Sequence, residues 1–229
     1  MHRVEVQVAH DSSATTPQND PAYIRALAQN TELSLLITKD KHWGASALRC
    51  HAHPEEACEA MEVKVRGAYT AKITPLHYAC EHQPSVDVIR ALIKANPQAL
   101  ERRQEPGGQL PLHAACTWGA SPDVVRTLLA RPSCAEMKDF LSNLPLHCAC
   151  YSGASTVVIE ILLKVYPQGV WLRNHQGSSA VDIVRRLSHP NRRQVLGMLE
   201  RTMSRLLERA AGGAAEQGVE MSDKSLEWV

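Results

Sequence analysis

An all-α repeat solenoid is the fold this sequence predicts, on three observations. The segments around Thr74-Pro75-Leu76-His77, Leu110-Pro111-Leu112-His113 and Leu144-Pro145-Leu146-His147 are one segment written three times, with histidines 36 and 34 residues apart. Each copy continues into two apolar runs with helical spacing. Only 4% of the 229 residues are aromatic, with a single Phe, so the core must come from Leu, Ile, Val and Ala in close helix-on-helix packing.

Within each copy the first helix continues with small residues, as His77-Tyr78-Ala79-Cys80, His113-Ala114-Ala115-Cys116 and His147-Cys148-Ala149-Cys150. Small side chains there allow close approach to a neighbouring helix. The second helix follows at Val88-Ile89-Arg90-Ala91-Leu92-Ile93, Val124-Val125-Arg126-Thr127-Leu128-Leu129 and Val158-Ile159-Glu160-Ile161-Leu162-Leu163. Pro97, Pro132 and Pro167, 35 residues apart, then stop it, because proline cannot continue a helix and disfavours helical backbone in its predecessor. A fourth, worn copy follows at Gly177 to Ile183, with Asp182 at the histidine position, 35 residues after His147.

These residues resemble the ankyrin repeat, whose signature is a T-P-L-H-x-A motif in a two-helix unit of about 33 residues. The resemblance covers residues 67–189 and implies helix-turn-helix units with projecting hairpin loops. It also implies that the motif histidines bond the turn between repeats and that the small residues pack between helices. Departures are Leu110 and Leu144 in place of Thr, and Asn96-Pro97-Gln98-Ala99 and Tyr166-Pro167-Gln168-Gly169 in place of Gly-Ala-Asp.

A stack of repeats needs terminal units with polar outer faces. Residues 21–66 read as an atypical helical N-terminal cap, with helices at Pro21 to Leu27, Trp43 to Cys50 and from Pro54 to Met61. Residues 190–211 read as a C-terminal capping helix that carries Val195, Leu199, Met203, Leu206 and Ala210 on one face. Residues 1–20 and 212–229, rich in Ser, Gln, Gly and acids, are expected to be disordered.

Charge is balanced, 25 Lys and Arg against 24 Asp and Glu for a formal +1, so there is no global pull toward nucleic acid. Seven cysteines, no signal peptide and no apolar run of about 20 residues point to a soluble, cytoplasmic or nuclear chain with reduced thiols. The repeated His and Cys, three apart, have metal-ligand chemistry, but a residue type that returns in every copy belongs to the fold. Cys50, His51, His53 and Cys58 lie outside the repeat, yet their spacing matches no zinc pattern. No phosphate-binding loop, nucleophile elbow or His-Glu-x-x-His pair occurs, so neither catalysis nor a cofactor is expected.

The resemblance implies a non-catalytic adaptor that binds a protein on the concave ankyrin face, through hairpin tips and exposed positions of the first helices. At matching positions stand Ile73, Gln109 and Asn143 before the motif, and Glu81, His82, Thr117, Trp118, Tyr151 and Ser152 after it. Trp118 and Tyr151 are the expected aromatic anchors. Two further sites are carried by local sequence. The arginines of 185–209 give a local charge of +5 suited to calmodulin or a membrane surface, and Glu227-Trp228-Val229 resembles a PDZ-domain ligand.

Overall fold

The computed structural model describes residues 43–65 and 69–216, together with Leu33 and Ile37. In chain order these form α1 (Trp43–Ala52), β1 (Met61–Val65), β2 (Tyr69–Ile73), α2 (Pro75–His82), α3 (Val86–Ala95), α4 (Pro111–Thr117), α5 (Pro122–Leu128), α6 (Pro145–Ser152), α7 (Thr156–Val165), α8 (Ala180–Arg186) and α9 (Arg192–Glu216). The helices stack in two layers, α2-α4-α6-α8 and α1-α3-α5-α7-α9. The first layer carries the motif histidines. Among the described residues this is the expected helical solenoid, with one small sheet added.

Small residues permit the stacking. Ala79, Ala115 and Ala149 are fully buried, as are Cys80, Cys116 and Cys150 beside them. Burial pushes the Cys150 thiol up to about 12, and the others upward as well, so these cysteines behave as compact apolar groups. Leu, Ile and Val of the second layer complete the core, among them Ile89, Leu92, Val125, Leu128, Ile159 and Leu162.

The prolines do more than stop helices. Pro97, Pro132 and Pro167 each open a short 3-10 helix, at Pro97–Glu101, Pro132–Ala135 and Pro167–Val170. Proline suits that first position because the N–H it lacks would have no partner there. Pro54 does the same at Pro54–Cys58, immediately after α1. Since α1 packs on α3 as α3 packs on α5, α1 and its 3-10 turn occupy the second-helix position of a unit that precedes the first motif. Asn96 ties the two units by donating from Nδ2 to the Ala57 carbonyl at 3.1 Å.

Two segments differ from the sequence reading. The helix expected from Pro54 to Met61 is one 3-10 turn, and the chain then turns into an antiparallel hairpin with Met61 opposite Ile73 and Val65 opposite Tyr69. The basic helix α9 packs on both α7 and α8, so it is the second helix of the fourth copy, and it runs to Glu216, past residue 211.

Backbone bonds join the loops between units in a row. Lys72 exchanges N–H and C=O bonds with Glu105, both at 3.0 Å. Phe140 N–H then donates to the Gly107 carbonyl at 3.2 Å and His175 N–H to Leu141 at 3.0 Å. The hairpin tips thus form one edge of the molecule.

Candidate protein-binding surface

Each motif histidine is fully buried and links its own helix start to the following loop. Nε2–H donates to the carbonyl of Gln109 from His77, of Asn143 from His113 and of Leu172 from His147, each at 3.0 Å. Nδ1 accepts the backbone N–H of Thr74, Leu110 and Leu144 at 3.4, 3.2 and 3.0 Å. With both nitrogens bonded in these senses the ring is neutral, and burial pulls His77 and His113 down to about 4. At the fourth position Asp182 keeps the bond to its own helix start, accepting from the Ser179 N–H and hydroxyl at 3.0 and 2.7 Å, and pairs with Arg173 at 3.2 Å.

Thr74 also caps α2, its hydroxyl oxygen accepting from the His77 N–H. Leu110 and Leu144 have no such oxygen. Both are completely buried instead, so in these copies the cap hydroxyl has been exchanged for apolar core.

The loops are shaped by polar residues that sequence reading passed over. Asp139, nearly buried, accepts from the N–H of Leu141 and Asn143 at 2.9 and 2.7 Å and from Asn143 Nδ2 at 3.1 Å. Asn174 accepts from the N–H of Gln176 and Ser178, both at 3.0 Å, and donates to Asn143 Oδ1 at 2.9 Å. These two residues stand 35 apart, and that shared period was the available signal.

The residues expected to meet a partner divide by exposure. Ile73 is buried at the end of β2 and belongs to the core. Gln109 and Asn143 are half-buried, and their carbonyls hold the histidines. Ser152 is turned inward, donating to the Cys116 carbonyl at 2.7 Å. Thr117 is exposed, although its hydroxyl donates to the His113 carbonyl at 2.9 Å. Trp118 caps α4, is half-buried against the core and accepts a bond from Gln83 Nε2 at its carbonyl. His82 stacks on Tyr78 with ring centroids 4.0 Å apart, and burial raises the carboxyl of Glu81 to about 7.

Tyr151 is the residue that joins the first helices to the loop edge. Its hydroxyl donates to Gln176 Oε1 at 3.0 Å, beside His175, which is bonded to Leu141. At that same loop Phe140 and Leu141 are 59% and 61% exposed. The Phe140 ring lies over Gly108, which has φ +68° and where a Cβ would come within 2.4 Å of it. Sequence reasoning missed this pair, although Phe140 is the chain's single phenylalanine and sits at a turn.

A family model for ankyrin repeats matches residues 13–139 in three copies. The chain belongs to the ankyrin-repeat family. The matched residues extend back through the segment read as an N-terminal cap, in keeping with α1 standing as the second helix of an earlier unit. The third motif and its worn successor lie beyond residue 139, and they continue the ankyrin stack with the same layers and loop bonds. No match was found among the curated proteins. Ankyrin repeats are in general protein–protein interaction modules, so a protein partner follows from the family.

The remaining candidates take their places in this ankyrin stack. Cys50 is buried in α1 while Cys58 and His51 are exposed, and His53 pairs with Glu55 at 3.1 Å. Among the described residues no group of His, Cys, Asp or Glu is arranged to hold a metal ion. The apolar face of the basic helix is in use, since Val195 and Leu199 are buried in the stack. Among the described residues no helix is long and apolar enough to cross a membrane. Glu227, Trp228 and Val229, the PDZ-type sequence, lie outside the described residues.

Proposed function

We propose that this ankyrin stack is a non-catalytic adaptor that binds a protein partner along the edge where its loop tips meet the ends of its first helices. Phe140 and Leu141 form the apolar centre of this surface, joined to Tyr151 through His175 and Gln176; Thr117 and Trp118 at the far end of α4 are further contact positions. The observation that carries the reading is the exposure of two large apolar side chains on a loop that hydrogen bonds hold fixed. Isolated exposed apolar residues are common on proteins, but an adjacent pair on a fixed tip, linked through His175 and Gln176 to Tyr151, makes a patch that water solvates poorly. Rigid aromatic anchors of this kind concentrate interface energy. Asp139 and Asn174 hold the loops in shape before binding, which lowers the entropy lost on association.

The test is affinity purification from the native cell with the full chain and with Phe140→Ala/Leu141→Ala. A partner held by the first and lost by the second supports the reading. A partner retained equally by both rejects it.

A further inference from the structure

A second surface lies between the outer helices α7 and α9, away from the loop tips. A groove of about 510 Å³ runs between them, lined on the α9 side by Arg201, Arg205 and Arg209 and on the α7 side by Glu160 and Lys164. Its floor is apolar, formed by Leu163, Met198 and Leu206. Lys164 and Glu160 neutralise one another at 2.8 Å, which leaves the three arginines as the groove's net charge.

The arginines are spaced four residues apart, so they stand in single file on one helix face, about 6 Å between neighbours. Among the described residues no ion pair joins any of them to an acid, and all three are exposed. Like charges at that spacing destabilise a helix, and the packing of α9 does not require them, since Val195 and Leu199 already close the stack. A row of guanidinium groups beside an apolar floor is complementary to a row of carboxylates at the same repeat, and the planar guanidinium favours carboxylate in paired bonds. An acidic amphipathic helix supplies that row. A lipid surface fits less well, because the groove is recessed and its apolar residues are half-buried or buried.

We infer that the groove between α7 and α9 docks an acidic amphipathic helix of a partner protein, with carboxylates one turn apart facing Arg201, Arg205 and Arg209. The probe is a fluorescein-labelled 18-residue helical peptide with Glu on successive turns and Leu beside them, titrated into the full chain by fluorescence anisotropy. Arg201→Glu/Arg205→Glu/Arg209→Glu should weaken binding at least tenfold with an unchanged melting temperature, and it should capture a peptide with Lys in place of Glu. Rising salt should weaken both pairings. Phe140→Ala/Leu141→Ala should leave this binding intact, which separates the groove from the loop-tip surface.

Equal binding by wild type and charge-reversed chain overturns the inference. So does capture of phosphatidylserine vesicles by a wild type that ignores the acidic peptide. Peptide binding that emerges only after removal of residues 217–229 gives the groove to the chain's own acidic C-terminal segment, and it too rejects an external helix.

Discussion

His77 and His113 are buried neutral and bonded at both nitrogens, so protonation would destroy an acceptor and place a charge in the core. Their folded values of about 4 lie below the ordinary 6.5, which means the unfolded chain takes up protons first as pH falls. Stability is therefore complete above pH 6.5 and declines from there down to about 4, by about 3 kcal/mol for each of the two histidines. Urea midpoints measured at pH 7.5 and 4.5 should differ accordingly, and a flat profile would contradict the neutral assignment. Leu110 offers a second check at this scale. Leu110→Thr restores the family motif and adds a cap hydroxyl worth about 1 kcal/mol, but it removes a fully buried side chain worth about 2 kcal/mol or more. The family residue should thus lower stability by about 1 kcal/mol in thermal unfolding. The motif histidines were legible from the sequence because they recur. Phe140 was not, since a loop between two helices carries no apolar period to show which side chains face solvent.

At the scale of elements the two-helix units were legible, because their apolar spacing and terminal prolines return about every 35 residues. The hairpin before α2 was missed, although Met61, Val63 and Val65 alternate with Glu62 and Lys64, a period of two that favours a strand. Acids after Pro54 suggested a longer helix, and five residues per strand are too few to outweigh that signal without the pairing partner in view. The same limit hid the status of α1 and α9, for a second helix without its motif reads as a cap. One junction tests how the last unit is seated. Gly153 ends α6 with φ +69°, and a Cβ there would come within 2.6 Å of His189, whose Nε2 bonds the Tyr151 carbonyl at 3.1 Å. Gly153→Ala should cost about 1–3 kcal/mol, from positive φ and from displacing His189. Hydrogen exchange should show the loss concentrated in α8 and α9, whereas a change spread evenly over the stack would mean that this contact does not seat the last unit.

Across the whole molecule, two layers of helices leave three surfaces of different chemistry: the loop edge, the first-helix layer and the groove between α7 and α9. The first sets two adjacent exposed apolar residues on a loop that hydrogen bonds hold, and Tyr151 connects it to the helices behind. Trp118, half-buried against the core, contributes to both stability and contact, so it discriminates poorly between the two. Phe140 and Leu141 discriminate well, because most of their area is already in solvent and little packing is lost on truncation. The most direct measurement is calorimetric titration of the purified partner into wild type and Phe140→Ala/Leu141→Ala, with the melting temperature of each recorded. Binding through the loop edge predicts a loss of about 2 kcal/mol or more in affinity, roughly thirtyfold in Kd, with a melting temperature nearly unchanged. An unchanged Kd together with a lowered melting temperature would contradict it.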